Sequence, residues 1–153
     1  MMTPRIIYLI RRAEAEVSSR MDKALEPYGL RPIQYTLLYF INLTEGNPSS
    51  AQLSRRFSIT PQSMGEQVQI LLQKKLVKKE TDPAHRRILR LSVTEKGTKL
   101  LDACNLALDE MEEILLKDFN SADKDTFRSL VGRILSSGAK EEVAPKEDLR
   151  NQS

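Results

Sequence analysis

The apolar residues of this chain leave the helical period for one stretch only, and that stretch fixes the class of fold. Up to residue 72 they recur in steps of three and four, as they do along helices with one buried face. At Leu76-Val77-Lys78-Lys79-Glu80 and Ile88-Leu89-Arg90-Leu91-Ser92-Val93 the pattern becomes that of strands, the second with Leu89, Leu91 and Val93 on one face. From Thr94 the helical period returns. The turn-rich, basic segment Thr81-Asp82-Pro83-Ala84-His85-Arg86-Arg87 joins the two strands. The chain is therefore mainly α with one small β-hairpin.

Local signals place the helices. Thr3-Pro4 suits a helix start, because threonine can cap and proline needs no amide partner in the first turn. Ile6, Ile10, Ala13, Val17, Met21 and Ala24 then form one stripe, which stops near Pro27–Gly29. Pro32 starts a second helix, with Ile33, Leu37, Leu38, Phe40 and Ile41 mostly inward, and Gly46-Asn47-Pro48 breaks it. Ser49 and Gln52 fit a capping box ahead of a short helix with Leu53 and Phe57. Thr60-Pro61 opens the next, which turns Met64, Val68, Leu71 and Leu72 inward. Two short helices across a tight polar turn form a helix-turn-helix pattern. Thr94 caps a long helix through about Phe119, striped by Leu100, Leu101, Cys104, Leu108, Met111 and Leu115. A last helix starts after Ser121, favoured by Asp123 and Asp125, with Phe127, Leu130, Val131 and Ile134 inward and a stop at Gly138.

At 153 residues the chain has room for one domain, here about 1–137, and a polar tail over 138–153 that reads as disordered. One cysteine rules out an intrachain disulfide framework and, with one histidine, a Cys/His metal site. No carboxylate cluster offers a metal site, and no cofactor is expected. No apolar run approaches the ~20 residues that span a bilayer, and charges interrupt the apolar start early, so no secretory signal and a soluble cytoplasmic protein are expected. No nucleophile–base pair or phosphate-cradling glycine loop is present, so an enzyme is not expected. Charge is divided: residues 1–100 hold 17 Lys and Arg against nine Asp and Glu, a balance of +8, and residues 101–153 hold seven against 12, a balance of −5. A basic half bearing a helix-turn-helix and hairpin suits a polyanion.

The segment Asp82-Pro83-Ala84-His85-Arg86-Arg87-Ile88-Leu89-Arg90-Leu91-Ser92-Val93-Thr94-Glu95-Lys96-Gly97 resembles the wing motif of the MarR family of winged helix-turn-helix transcription regulators. The frame of that motif is D-P-x-D-x-R, a strand, then L-T-x-x-G. Gly29-Leu30-Arg31-Pro32-Ile33-Gln34-Tyr35 resembles the start of the family's second helix, and Thr60-Pro61-Gln62-Ser63-Met64 the start of its recognition helix. The resemblance spans about residues 5–137. It implies a winged helix-turn-helix at about 31–97 between dimerisation helices at about 4–27 and 95–137. Departures are His85 in place of Asp, Lys75 in place of a common Gly, and Glu66, Gln67 and Ile70 where Arg, Leu and Arg are common.

A helix about 10–12 Å across fits the major groove, so the helix from Thr60 can present Gln62, Ser63, Glu66 and Gln67 to base edges. Glutamine can pair bidentately with adenine, and glutamate can accept from cytosine while repelling phosphate. By resemblance, Arg87 pairs with Asp82 to hold the wing's shape, and Arg86 enters the minor groove beside His85. Arg55, Arg56, Lys74, Lys78, Lys79 and Arg90 are candidate phosphate contacts, some of them plain solvated cations. The long apolar stripes call for cover by a second copy, and a homodimer sets two recognition helices ~34 Å apart on a pseudo-palindromic duplex.

The resemblance also implies a crevice for a small aromatic or phenolic ligand near Arg11, Arg12, Tyr35, Tyr39 and Cys104, against the plainer reading of core tyrosines and surface arginines. The function implied is a dimeric DNA-binding transcriptional regulator, a repressor, released by such a ligand. Two alternatives stay open. One is a winged-helix protein-interaction module without operator reading, motivated by Glu66. The other is a thiol-based redox regulator acting through Cys104.

Overall fold

The structure, a computed structural model, describes residues 2–141. Its elements are α1 (Ile6–Leu25), a 3-10 turn (Glu26–Tyr28), α2 (Pro32–Leu43), α3 (Ser50–Arg56), α4 (Pro61–Gln73), β1 (Val77–Thr81), β2 (Leu89–Val93), α5 (Glu95–Leu115) and α6 (Ser121–Glu141). This is the mainly α chain with one hairpin that the periodicity implies. No helix among the described residues is long and apolar enough to cross a membrane.

The chain divides into two compact units, one up to Glu113 and one from Ile114. The first holds the core. Leu37, Leu38 and Ile41 of α2 pack with Leu53 of α3 and with Met64, Val68 and Leu71 of α4. Leu76, Val77 and Leu91 at the base of the hairpin, and Leu101, Cys104 and Leu108 of α5, complete it. These α4 and α5 positions are the spaced apolar residues of the sequence, so the stripes face inward as the 3.6 period requires.

The helix starts are made locally. Ser49 Oγ accepts the Gln52 amide at 3.2 Å while Gln52 Oε1 accepts the Ser49 amide at 2.9 Å, a reciprocal capping box. Thr60 Oγ1 accepts the Ser63 amide at 3.2 Å. Thr94 Oγ1 accepts the Gly97 amide at 3.0 Å and donates to the Lys75 carbonyl at 2.7 Å, so one hydroxyl caps α5 and ties it to the end of α4. The strands pair antiparallel from Val77 opposite Val93 to Thr81 opposite Leu89. A further bridge joins Ser49 to Arg90, which attaches the hairpin to the entry of α3.

Several boundaries and faces differ from the sequence-based expectation. α1 begins at Ile6, with Arg5 at its cap and no side-chain cap bond, so Thr3-Pro4 lies outside it. α5 ends at Leu115, four residues before Phe119. Asn120 caps α6 by a reciprocal pair of bonds with Asp123, 2.8 and 3.1 Å long. α6 continues through Gly138 to Glu141, since glycine weakens a helix without ending it. The remainder of the expected tail, 142–153, lies outside the described residues. Phe127, Leu130, Val131 and Ile134 were expected inward but are 38–54% exposed in a single copy. Ile6 and Ile10 of α1 are exposed in the same way.

Candidate nucleic-acid interface

The turn between α3 and α4 is tight because Ser58 takes a left-handed conformation and the Ser54 hydroxyl donates to the Ile59 carbonyl at 2.6 Å. α4 then buries Met64, Val68 and Leu71 and turns Gln62, Ser63, Gly65, Glu66 and Gln69 outward. Gln69 was not among the residues singled out from sequence. It shares the outer face with Gln62 and Glu66 at helical spacing, a signal present in the complement of the apolar stripe. Gln67 is half-buried, and its side-chain oxygen accepts from Gln34 of α2 at 3.4 Å. This long bond draws Gln67 toward the core and away from the outer face.

The hairpin turn presents His85, Arg86 and Arg87, all exposed. The expected pairing of Arg87 with Asp82 does not form. Arg90 takes that place: its Nε and Nη2 each lie 3.0 Å from Asp82 Oδ2. Asp82 Oδ1 accepts the Ala84 amide at 2.8 Å. That amide first, and the Arg90 guanidinium second, hold the Asp82 carboxyl below the usual carboxylate range. Arg86 and Arg87 form no hydrogen bond or ion pair among the described residues.

The candidate phosphate contacts sort into free and engaged groups. Arg55 and Arg56 are exposed in the last turn of α3, and the Arg56 guanidinium lies 5.5 Å from the centre of the Phe40 ring. Lys79 is exposed on β1. Lys78 pairs with Glu80 at 3.0 Å, an exposed contact of little energetic weight. Lys74 is engaged at the surface, donating to the Gly29 carbonyl where the 3-10 turn ends. Arg90 is occupied by Asp82 and by Gln52 Oε1 at 2.9 Å. Beside these groups a cavity of about 330 Å³ opens between Phe40, the 44–48 loop, Gln52, Arg56 and Arg90.

The structure brings together part of the expected ligand crevice. The Tyr35 and Tyr39 rings stack with centroids 5.9 Å apart, and the Tyr35 hydroxyl donates to Asn105 Oδ1 at 2.8 Å. Burial, then the charges of Tyr39, Cys104 and Asp109, push the Tyr35 phenol up. Cys104 is fully buried, and that burial pushes its thiol up, away from the reactive thiolate. Arg11 and Arg12 are exposed on α1 and form no hydrogen bond or ion pair among the described residues.

Comparison with known proteins agrees with this architecture. Residues 28–88 match the model of the MarR family. The uncharacterized HTH-type transcriptional regulator YhbI of Bacillus subtilis is 25% identical over 132 residues, covering 86% of this chain and 81% of that protein. The S. aureus MepR–DNA complex superposes with a TM-score of 0.76 at 22% identity, over 88% of this chain and 99% of that one. CouR from Rhodococcus jostii RHA1 bound to p-coumaroyl-CoA gives 0.76 at 23% identity, over 84% and 90%.

Proposed function

We propose that the chain is a regulator of the MarR family, dimeric and sequence-specific, acting as a repressor of transcription on double-stranded DNA; the match of residues 28–88 to that family's model supports the reading. The observation that carries the proposal is one of composition and placement. α4 exposes a polar face of Gln62, Glu66 and Gln69, and the hairpin beside it exposes two arginines that no carboxylate among the described residues engages. Glutamine side chains offer the paired donor and acceptor that adenine matches, and Glu66 offers the acceptor that the cytosine amine needs. Arginines at a hairpin tip are drawn to a narrow A·T minor groove. Arg55, Arg56 and Lys79 supply sequence-independent affinity from the flanks.

The DNA-bound form of MepR supports this reading by its fold. The CouR complex and the Tyr35–Tyr39–Asn105 cluster support a small aromatic ligand as the release signal. A ligand of that kind acts by favouring a lobe spacing that no longer matches the duplex.

Selection from a random duplex pool tests the proposal. It predicts an enriched, two-fold-related site whose binding weakens steeply with salt, and loss of that binding when Gln62 and Arg86 are both changed to Ala. A pool that shows no enrichment, with a protein captured instead, favours an interaction module and overturns the proposal.

A further inference from the structure

Arg90 uses all three of its guanidinium nitrogens, and they point to two different parts of the lobe. Nε and Nη2 hold Asp82 Oδ2 at 3.0 Å, and Nη1 donates to Gln52 Oε1 at 2.9 Å. The same Gln52 oxygen accepts the Ser49 amide at 2.9 Å and so belongs to the cap of α3. The same Asp82 carboxylate accepts the Ala84 amide and so belongs to the hairpin turn. One planar group thus spans the entry of the helix-turn-helix and the base of the wing tip. The backbone runs parallel to it: Ser49 bridges Arg90, and the Leu91 amide donates to the Pro48 carbonyl at 2.9 Å. The Arg90 and Asp82 side chains are 26% and 13% exposed, against 59% and 64% for the surface pair Lys78 and Glu80. A partly desolvated pair that uses two nitrogens on one carboxylate holds orientation as well as distance.

We propose that Arg90 is the positioning residue of the wing: through Asp82 and Gln52 it fixes the hairpin tip relative to the helix-turn-helix, and it does not itself contact phosphate. This inference rests on the DNA-binding reading for its consequence, which is that the placement of Arg86 and Arg87 depends on a residue that touches no DNA. Methionine at position 90 keeps the apolar stem and loses every one of these bonds. Lysine keeps the charge but, as a single point donor, cannot span Asp82 and Gln52 together.

Two readouts on the full chain test it. The first is amide exchange without DNA, comparing Arg90→Met with Arg87→Met. Arg90→Met is expected to speed exchange at Ala84 and Ile88 by about tenfold or more, as local opening of the turn becomes easier, while Arg87→Met leaves those amides unchanged. The second uses duplexes enriched from a random pool, with flanks of either A·T or G·C. Arg90→Met and Arg90→Lys are both expected to lower the preference for A·T flanks to that of Arg86→Ala, with the slope of log affinity against log salt unchanged. A lost phosphate contact would instead reduce that slope by about one. General destabilisation would lower affinity for both duplexes equally and leave the preference intact. Unchanged exchange in Arg90→Met, or a reduced slope with the preference retained, overturns the proposal. If the unaltered chain selects no duplex, the DNA-binding reading fails, and the exchange measurement still decides whether Arg90 holds the wing.

Discussion

The α-carbon of Gly97 is pressed against the carbonyl oxygen of Leu76: a β-carbon on Gly97 would stand 2.1 Å from that oxygen and 2.7 Å from Val93 Cγ1. The carbonyl cannot move aside freely, because the Thr94 amide donates to it at 3.0 Å and the Thr94 hydroxyl, which shares its one proton with the Lys75 carbonyl, lies 3.1 Å away. Three elements meet here: the entry to β1, the end of β2 and the first turn of α5. Gly97→Ala is therefore expected to destabilise the winged lobe by about 3 kcal/mol, the upper range for forcing an atom into a packed site. Chemical denaturation checks this. A midpoint equal to that of the unaltered chain would show that the backbone yields without cost.

Lys75 has the opposite problem. Its φ is +58°, and the Lys75 and Leu76 amides donate back to the Leu72 and Leu71 carbonyls at 3.0 Å each, the pattern of a helix end that favours glycine. Its side chain is exposed, and what holds it in place is the backbone, through the carbonyl that accepts from Thr94. Lys75→Gly keeps that carbonyl and relieves the left-handed strain. It is expected to raise stability by about 1 kcal/mol, net of the added freedom of the unfolded chain. A lowered denaturation midpoint would show that the lysine side chain contributes more than its backbone costs.

How much of this could be read from the chain follows the range of each interaction. The Ser49–Gln52 box and the Thr60 and Thr94 caps link residues three apart, so spacing alone reveals them. The partner of Asp82 depends on strand register. Asp82 stands opposite Ile88, whose carbonyl accepts its amide at 2.9 Å, so Arg90 is the diagonal neighbour on the same face and Arg87 belongs to the turn. The motif frame pointed to Arg87 because it records order along the chain and not which face a residue occupies. Lys74 reaches a carbonyl 45 residues away, and Gln67 a side chain 33 away, and no local pattern carries either. Gln69 was legible in principle, since the outer face of α4 is what remains once Met64, Val68 and Leu71 are turned inward.

The Asp82 carboxyl gives the wing a direction of pH dependence. Hydrogen bonds from the Ala84 amide and Arg90 favour the charged form, so its affinity for a proton is lower in the folded chain than in the unfolded one. The stabilisation is therefore present above the ordinary carboxylate range and is lost only as pH falls through the lowered value. Titration of the Asp82 carboxyl followed by NMR is expected to give a midpoint below that of an ordinary aspartate. In Arg90→Met the midpoint moves back toward the ordinary value. Identical midpoints in the two chains would mean that the ion pair does not persist in solution.

The apolar faces left open in a single copy lead to the last prediction. Ile6 and Ile10 of α1 are 72% and 44% exposed, and Phe127, Leu130 and Ile134 of α6 are 50%, 48% and 54% exposed. Exposed apolar side chains at helical spacing, on each of these helices taken by itself, mark an association surface. A second copy is the occupant that also supplies a second recognition helix for a two-fold site. Sedimentation is expected to give a dimer. An aspartate in place of Ile10 or Ile134 would be buried without a partner and is expected to shift the chain to monomer, at a cost of several kcal/mol of association. Such a monomer keeps the core of the winged lobe, whose residues run from Leu25 to Leu108, and so keeps its cooperative unfolding. It loses the two-fold site while weak half-site binding remains. A variant that stays dimeric with aspartate at both positions would place the association surface elsewhere.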